Sequence, residues 1–385
     1  MVFCCVLIDC YYSVIVMRVA MIASFWPQIS PSGSAIYAYE LSKYLSQRKI
    51  EVHFIAASGT FKSMRFSLNP LFHVCLKRTY FMLKNVYPVV NVVDELIKLD
   101  VDIIHAHSYV YPATLQATLV KKLKKKGAFI VHIHGSLRSI PKTFLVKMKE
   151  LIYDPLMGSF ILKSADKVVS IAKNDIPTIY QKFKCKALWL PNAVNTDRFK
   201  PPPNKDNRFS MRTVAYIGRL EHWKGIGDLI KIIKIVYEKV PDAKFLIIGS
   251  GSMRSLLERV KVPITIKDNV PYERIHEVYH NISILVLPSY MEGAPNVLLE
   301  AGASGVPVVA SRVGDVPFIV KNNETGYVIE PGNIKEFAKR IIELLTNEDL
   351  WKSMSLKSVK YITSKFSFDA IVKKVLEVYF SAINA

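Results

Sequence analysis

Two periods alternate along most of the chain. Short apolar runs, rich in β-branched residues, end in glycine, proline or polar turn residues. Longer stretches follow in which apolar residues recur three and four positions apart. Residues 18–25, 51–56, 101–105, 129–134 and 166–171 read as strands. Ile36, Tyr37, Leu41, Tyr44 and Leu45 sit at helical spacing within 34–47, and 91–98 and 112–125 also read as helices. Residues 200–210 break the pattern, because three consecutive prolines and polar neighbours build neither a central strand nor a helix interior. The alternation then restarts. Strands are expected at 213–217, 243–248, 264–267, 284–287 and 308–310, with helices at 226–239, 274–280 and 295–304. Such alternation implies an α/β fold of parallel sheets with helices on both faces. The expected organisation is two doubly wound, Rossmann-like domains facing a central cleft. The first covers residues 17–200 and the second 211–364, joined by a linker at 201–210. An amphipathic closing segment, 365–385, completes the chain.

The first sixteen residues read as an extension of a domain that begins at Met17. They are apolar but interrupted by Asp9, lack a basic leader, and fall short of the roughly 20 residues needed to span a bilayer. Of the five cysteines, Cys4, Cys5 and Cys10 cluster there, while Cys75 and Cys185 stand alone. An odd number without metal-ligand spacing is neither a disulfide framework nor a zinc motif. A cytoplasmic protein fits this usage.

The net charge of +20 changes the picture, since it calls for an anionic partner. It is uneven: residues 1–200 hold 27 of the 52 basic side chains but only 12 of the 32 acidic ones. Candidate chemistry sits where expected strands end, because open α/β sheets bind ligands outside the carboxyl ends of their strands. Strand 213–217 leads into Gly218-Arg219-Leu220 and then Lys224-Gly225. A guanidinium fork and an ammonium at one strand exit suit a diphosphate. Strand 243–248 ends in Gly249-Ser250-Gly251, where missing side chains permit close backbone approach. Strand 284–287 leads through Glu292, Gly293, Ala294 and Pro295 into a helix carrying Asn296, Val297 and Glu300. Free N–H groups at that helix start favour an anion, and the carboxylates suit sugar or ribose hydroxyls.

As a set and in this order, these residues resemble the retaining glycosyltransferases of family 4, which have the GT-B fold. The Glu292-x7-Glu300 spacing is similar to the family's acid pair, and Gly218 to Gly225 to its diphosphate-binding segment. The stretch from Pro191 to Phe199 resembles the family sequence before the interdomain linker. In the first half, Pro31-Ser32-Gly33-Ser34-Ala35 resembles a glycine-rich loop with one glycine where two are usual. Asp102 to His107 and His132-Ile133-His134-Gly135 resemble two histidine-bearing strand ends.

The resemblance implies a nucleotide-sugar co-substrate, UDP-, GDP- or ADP-linked, and no required metal. It implies that Arg219 and Lys224 hold the diphosphate, that Glu300 binds the ribose, and that Glu292 and His134 face the donor sugar. Gly33, Gly218, Gly249 and the 293–297 segment would line the donor site. It further implies that the leaving phosphate assists deprotonation of the acceptor, and that segment 365–385 crosses back to the first domain.

Basic and apolar residues interleave in 61–84, 121–126 and 138–149. That mixture suggests peripheral attachment to an acidic membrane face and a lipid-linked acceptor. A sugar-nucleotide epimerase or hydrolase on the same fold is the alternative. Nucleic acid is not an expected partner, because no recognition module accompanies the charge.

Overall fold

The computed structural model describes residues 17–30, 32–83, 87–134, 137, 148–203 and 207–384. Two separate sheets carry the fold. The first is built from β1 (Arg18–Phe25), β2 (Glu51–Ala57), β3 (Met64–Asn69), β4 (Phe72–Lys77), β7 (Ile103–His107), β8 (Ala128–Ile133), β9 (Lys167–Ser170) and β10 (Ala187–Trp189). Its order is β10-β9-β8-β7-β1-β2-β4-β3, parallel throughout except for the antiparallel edge strand β3. A small hairpin, β5 (Phe81–Leu83) with β6 (Tyr87–Val89), lies outside it. The second sheet holds β11 (Thr213–Ile217), β12 (Lys244–Ile248), β13 (Ile264–Lys267), β14 (Ile284–Leu287), β15 (Val308–Ser311) and β16 (Gly326–Ile329). Its order, β13-β12-β11-β14-β15-β16, is the doubly wound 3-2-1-4-5-6 arrangement.

Central parallel strands are covered on both faces, so they read as unbroken apolar runs and not as alternating ones. β1 shows this, with seven of its eight residues buried. Its side chains divide between two cores. Val19 and Met21 face helices Gly33–Ser46 and Phe368–Ile383, whereas Ala20 and Ile22 face the side that holds Ala117, Ile161 and Phe183. Helix Phe368–Ile383 thus belongs to the core of the first sheet although it ends the chain. A single Ser367 caps it and separates it from helix Glu348–Phe366, which packs on the second sheet's core.

The structure departs from the expected linker. Arg208–Met211 is a short helix, and Arg208 is wholly buried. Its guanidinium donates to the carbonyl oxygens of Tyr279 (3.2 Å) and Ser304 (2.7 Å) and lies over the Trp351 ring. Two helix-end carbonyls of the second domain need a donor, and this side chain supplies it. Arg208→Met should destabilise the protein by about 2–4 kcal/mol, because it strands those carbonyls in the core. A urea-unfolding midpoint equal to that of the wild type would refute this role.

Several cations of the basic N-terminal half are engaged internally. Lys77 is buried against Asp94 and Glu95, and Arg65 bonds Glu95. Lys121 pairs with Asp166, Lys126 with Asp100, and Lys124 donates to the carbonyls that end helix Val93–Lys98. Phe72 and Leu76, in the same stretch, are core residues of β4. Within these stretches Phe72, Leu76, Lys77, Lys121 and Lys124 are therefore structural, whereas Phe61 and the residues of β3 are exposed. Residues 1–16, Lys84 and 138–147, where other expected features fall, lie outside the described residues.

Candidate active site at the interdomain cleft

Each sheet reverses its winding at a central strand, β1 in the first and β11 in the second, and a crevice opens outside the carboxyl ends at that point. The two crevices face each other across one cavity of about 420 Å3. The first domain contributes Gly33, Ser34, Tyr111 and His134, and the second contributes Gly218, Lys224, Glu292 and residues 294–297.

Two helix N-termini enter this space. Helix Gly33–Ser46 is capped by Ser32, whose hydroxyl accepts from Ala35 N–H at 3.2 Å, and Gly33 begins its first turn. Helix Asn296–Ala303 starts after Pro295, which is its cap residue and not, as expected, part of its first turn. No side chain caps this second helix, and its Asn296 Oδ1 is buried without a partner. Together the two ends present free backbone donors and two positive dipole ends to one volume, a setting that favours an anion.

Lys224 and Glu292 form the charged centre. Lys224 Nζ donates to Glu292 Oε1 at 2.7 Å, and Ser289 Oγ donates to the same oxygen at 2.7 Å. The side chains are only 16% and 6% exposed, so the pair is held largely out of water. Lys224 gets there because Gly225 lies against the Pro288 carbonyl, with a positive φ of 70° that glycine adopts freely.

Glu300 lies one turn deeper, in an adjoining recess of about 70 Å3 with Gly33, Tyr272 and Asn296. Tyr279 OH donates to its Oε2 at 2.7 Å. Burial nonetheless raises its pKa to about 7, against the opposing influence of Tyr279 and the Arg198 charge. A carboxyl at this position is poised between its two protonation states at neutral pH.

His134 lines the cavity from the end of β8, and its Nε2 lies 2.8 Å from His107 Nδ1. Burial lowers its pKa to about 3, which makes it a neutral hydrogen-bonding group. Behind it stand His105, His107 and His132, all buried, with candidate ligand atoms within 4.8 Å of one another. Their rings stack: His105 lies at 22° to His107 and at 11° to His132, with centroids 4.5 and 5.4 Å apart. Nearly parallel rings direct their lone pairs side by side, while a metal needs them to converge on a point in every ring plane. The arrangement is a stacked support for His134, tied by His105 Nδ1 to Tyr379 OH at 2.8 Å.

Besides Glu300, three expected residues stand apart from the cavity. Arg219 is exposed, with its guanidinium 5.3 Å from the centre of the Trp223 ring. Gly249 packs on backbone, since a Cβ there would meet the Gly218 carbonyl oxygen at 1.9 Å, so its need for glycine is a close crossing of two strand exits. Gly293 lines a neighbouring recess with Asn174 and Asp315. There Asp315 accepts the backbone N–H groups of Lys173 (2.6 Å) and Asn174 (3.1 Å) and ties the domains together.

Asn192 was missed as a site residue. It lines the cavity and donates to the Ala294 carbonyl at 3.0 Å, holding the 294–297 turn from the other domain. Its place beside Pro191, just after β10, was the available signal. Ser34 lay inside the stretch that resembles the glycine-rich loop, whereas Tyr111 had no signal at all.

Two facing doubly wound domains around one cleft make up the GT-B fold. The comparisons agree. Residues 31–198 match the model described as Glycosyltransferase Family 4, and residues 195–360 match that described as Glycosyl transferases group 1. The chain belongs to this family of glycosyltransferases. It is 24% identical, over 92% of its length and 95% of the relative's, to N-acetyl-alpha-D-glucosaminyl L-malate synthase of Bacillus anthracis. It is also 24% identical, over 88% of its length and 91% of the relative's, to the capsular polysaccharide biosynthesis glycosyltransferase CapM of Staphylococcus aureus. Among solved structures, Anabaena HepE in complex with UDP superposes with a TM-score of 0.71 at 15% identity, covering 95% of this chain and all of that one.

Proposed function

We propose that the protein is a retaining hexosyltransferase that moves a sugar from a nucleoside diphosphate sugar to an acceptor hydroxyl. The observation that carries this reading is the meeting of two helix N-termini with the Lys224–Glu292 pair in one cavity. An ammonium has three N–H donors, and the bond to Glu292 engages one, leaving others for a diphosphate. Helix ends and Lys224 would stabilise the charge that grows on the leaving phosphate. Arg219 joins them once it leaves Trp223. Glu300 would accept from the ribose hydroxyls, and Glu292 and neutral His134 would hydrogen-bond the donor sugar. In the transfer, the bond from the anomeric carbon to the phosphate oxygen breaks. The bond to the acceptor oxygen forms on the same face, and the acceptor proton passes to the departing phosphate. No step requires a metal.

HepE holds UDP, so UDP heads a thermal-shift screen that also includes GDP, ADP and their sugars. One nucleotide should raise Tm, through binding to the native state alone, and Glu300→Ala should abolish the rise. A folded protein whose Tm moves with none of them would refute the reading. Free sugar or an isomerised donor, formed at the same rate with and without acceptors, would instead mark a hydrolase or epimerase. His134→Ala should lower kcat about 10–100-fold with little change in nucleotide affinity, since it loses a hydrogen bond to the sugar and none to the nucleotide. Unchanged kcat would remove His134 from the site.

A further inference from the structure

Residues 148–164 form one continuous helix. Its first part, Lys149–Gly158, is wound with i→i+5 hydrogen bonds, and Ser159–Ser164 completes it. One side of this helix is firmly seated. Asp154 is buried and accepts from Tyr109 OH (3.0 Å) and Lys149 Nζ (2.8 Å), and Ile161 and Leu162 enter the core. Among the described residues, nothing covers the other side. Leu151 is 74% exposed and Leu156 61%, and Met148, Ile152, Met157 and Phe160 are exposed with them. The spacing 148, 152, 156, 160 places them along a single stripe of a widely wound helix.

The rim of this stripe is basic. The helix's own Glu150 bonds Lys182, and Asp154 is buried, so the anions here are neutralised. Helix Ile176–Phe183 packs against this helix; Lys184 and Lys186, which follow it, are exposed, as is Lys163 at the helix end. Tyr180, over which Lys184 sits, is exposed between them. An apolar stripe flanked by unneutralised ammonium groups is complementary to an anionic lipid leaflet: the acyl region takes the stripe and the headgroups take the lysines. No described helix is long and apolar enough to cross a membrane, so such a contact lies in the interface plane.

The position relative to the cleft fits. Lys149 and Tyr153 both bond Tyr109, and two residues further on Tyr111 lines the donor cavity opposite Lys224. The other exposed apolar set, Phe61, Met64, Phe66 and Leu68, lies around edge strand β3. The sheet order puts it seven strand spacings from the β10 edge, roughly 30 Å away.

We propose that the exposed face of helix Lys149–Ser164, rimmed by Lys163, Lys184 and Lys186, docks on an anionic lipid surface and brings a lipid-linked acceptor to the mouth of the cleft. The acceptor clause rests on the transferase reading above; the lipid contact does not. Flotation of the full chain with vesicles of equal parts phosphatidylglycerol and phosphatidylcholine, and with phosphatidylcholine alone, tests it. The protein should float with the anionic vesicles at low salt and less at high salt. Leu151→Glu/Leu156→Glu should cut the bound fraction about tenfold or more, and Lys163→Glu/Lys184→Glu/Lys186→Glu should do likewise. The wild-type thermal melt and its nucleotide shift serve as controls in the same preparations. Absence of flotation, or equal flotation of the Leu151→Glu/Leu156→Glu protein, would overturn the proposal. So would a stable dimer in sedimentation that the leucine variant splits, since the face would then be a protein interface. A protein that floats but shows no nucleotide shift would keep the lipid contact and sink the transferase reading.

Discussion

Lys224→Ala should lower kcat for sugar transfer about 100- to 1,000-fold, the scale on which removal of one preorganised donor at a charge-developing atom is felt. The effect has two parts. The leaving phosphate loses the ammonium that the structure holds at the cavity wall. Glu292 also loses its partner at 2.7 Å while remaining only 6% exposed. A buried carboxylate that keeps Ser289 but loses its counter-charge costs several kcal/mol or takes up a proton, so the single variant should also be less stable by about 2–4 kcal/mol. Glu292→Gln separates the two parts. It preserves shape and can still meet Ser289 and Lys224, so stability should fall less while transfer still falls. A double-mutant cycle on nucleotide affinity and on unfolding should show coupling in both. Additive effects on transfer, with wild-type nucleotide affinity in Lys224→Ala, would mean that Lys224 only neutralises Glu292 and does not touch the diphosphate.

The second large effect concerns Glu300. Its pKa in the native protein, about 7, lies above that of an unfolded glutamate. The native state therefore binds more protons than the unfolded state between the two values, and stability falls as pH rises. This contribution is fully present below about 4.3, the ordinary value for glutamate, and is lost as pH climbs through 7. The shift amounts to roughly 3.5 kcal/mol at most. Glu300→Gln should remove that slope from the stability of the free protein. Nucleotide binding should run the other way. Ribose hydroxyls donate best to the ionised carboxylate, so affinity should increase from pH 6 to pH 8 and binding should release a proton near pH 7. Calorimetry in two buffers of different ionisation enthalpy reads that proton directly. Glu300→Gln should bind about 10–100-fold more weakly at pH 8, with no proton release. A proton count of zero in the wild type, or an affinity that falls with pH, would place the ribose elsewhere.

Sequence by itself determined a good part of this protein. The alternation of unbroken apolar runs with helical spacing identified the doubly wound halves, because strands buried on both faces leave that signature locally. It also marked most of the loops that the structure brings to the cleft. Lys224, Glu292, residues 294–297 and Glu300 all follow strand ends or open a helix, and a strand end in an open α/β sheet is where ligands bind. The edge hairpin β3–β4 was not legible in this way: its basic and aromatic residues look like a surface, yet Phe72, Leu76 and Lys77 are interior. Nothing near Lys77 in the chain announces Asp94 or Glu95 as partners, since a cation's partner is set by the sheet it crosses and not by its neighbours.

The tertiary structure decided the rest. It brought Gly33 and His134 to residues some 80 to 260 positions away, by placing both winding reversals on one cleft. It turned Arg219 onto Trp223, gave Gly249 a packing duty, and drew Arg208 out of a proline-rich link into the second core. It also left the apolar side of one amphipathic helix exposed among the described residues. The physical reason is common to all of these. Periodicity and turn chemistry report what each residue does within its own element, whereas side-chain direction, ion-pair choice and burial at an edge depend on which distant element arrives beside it.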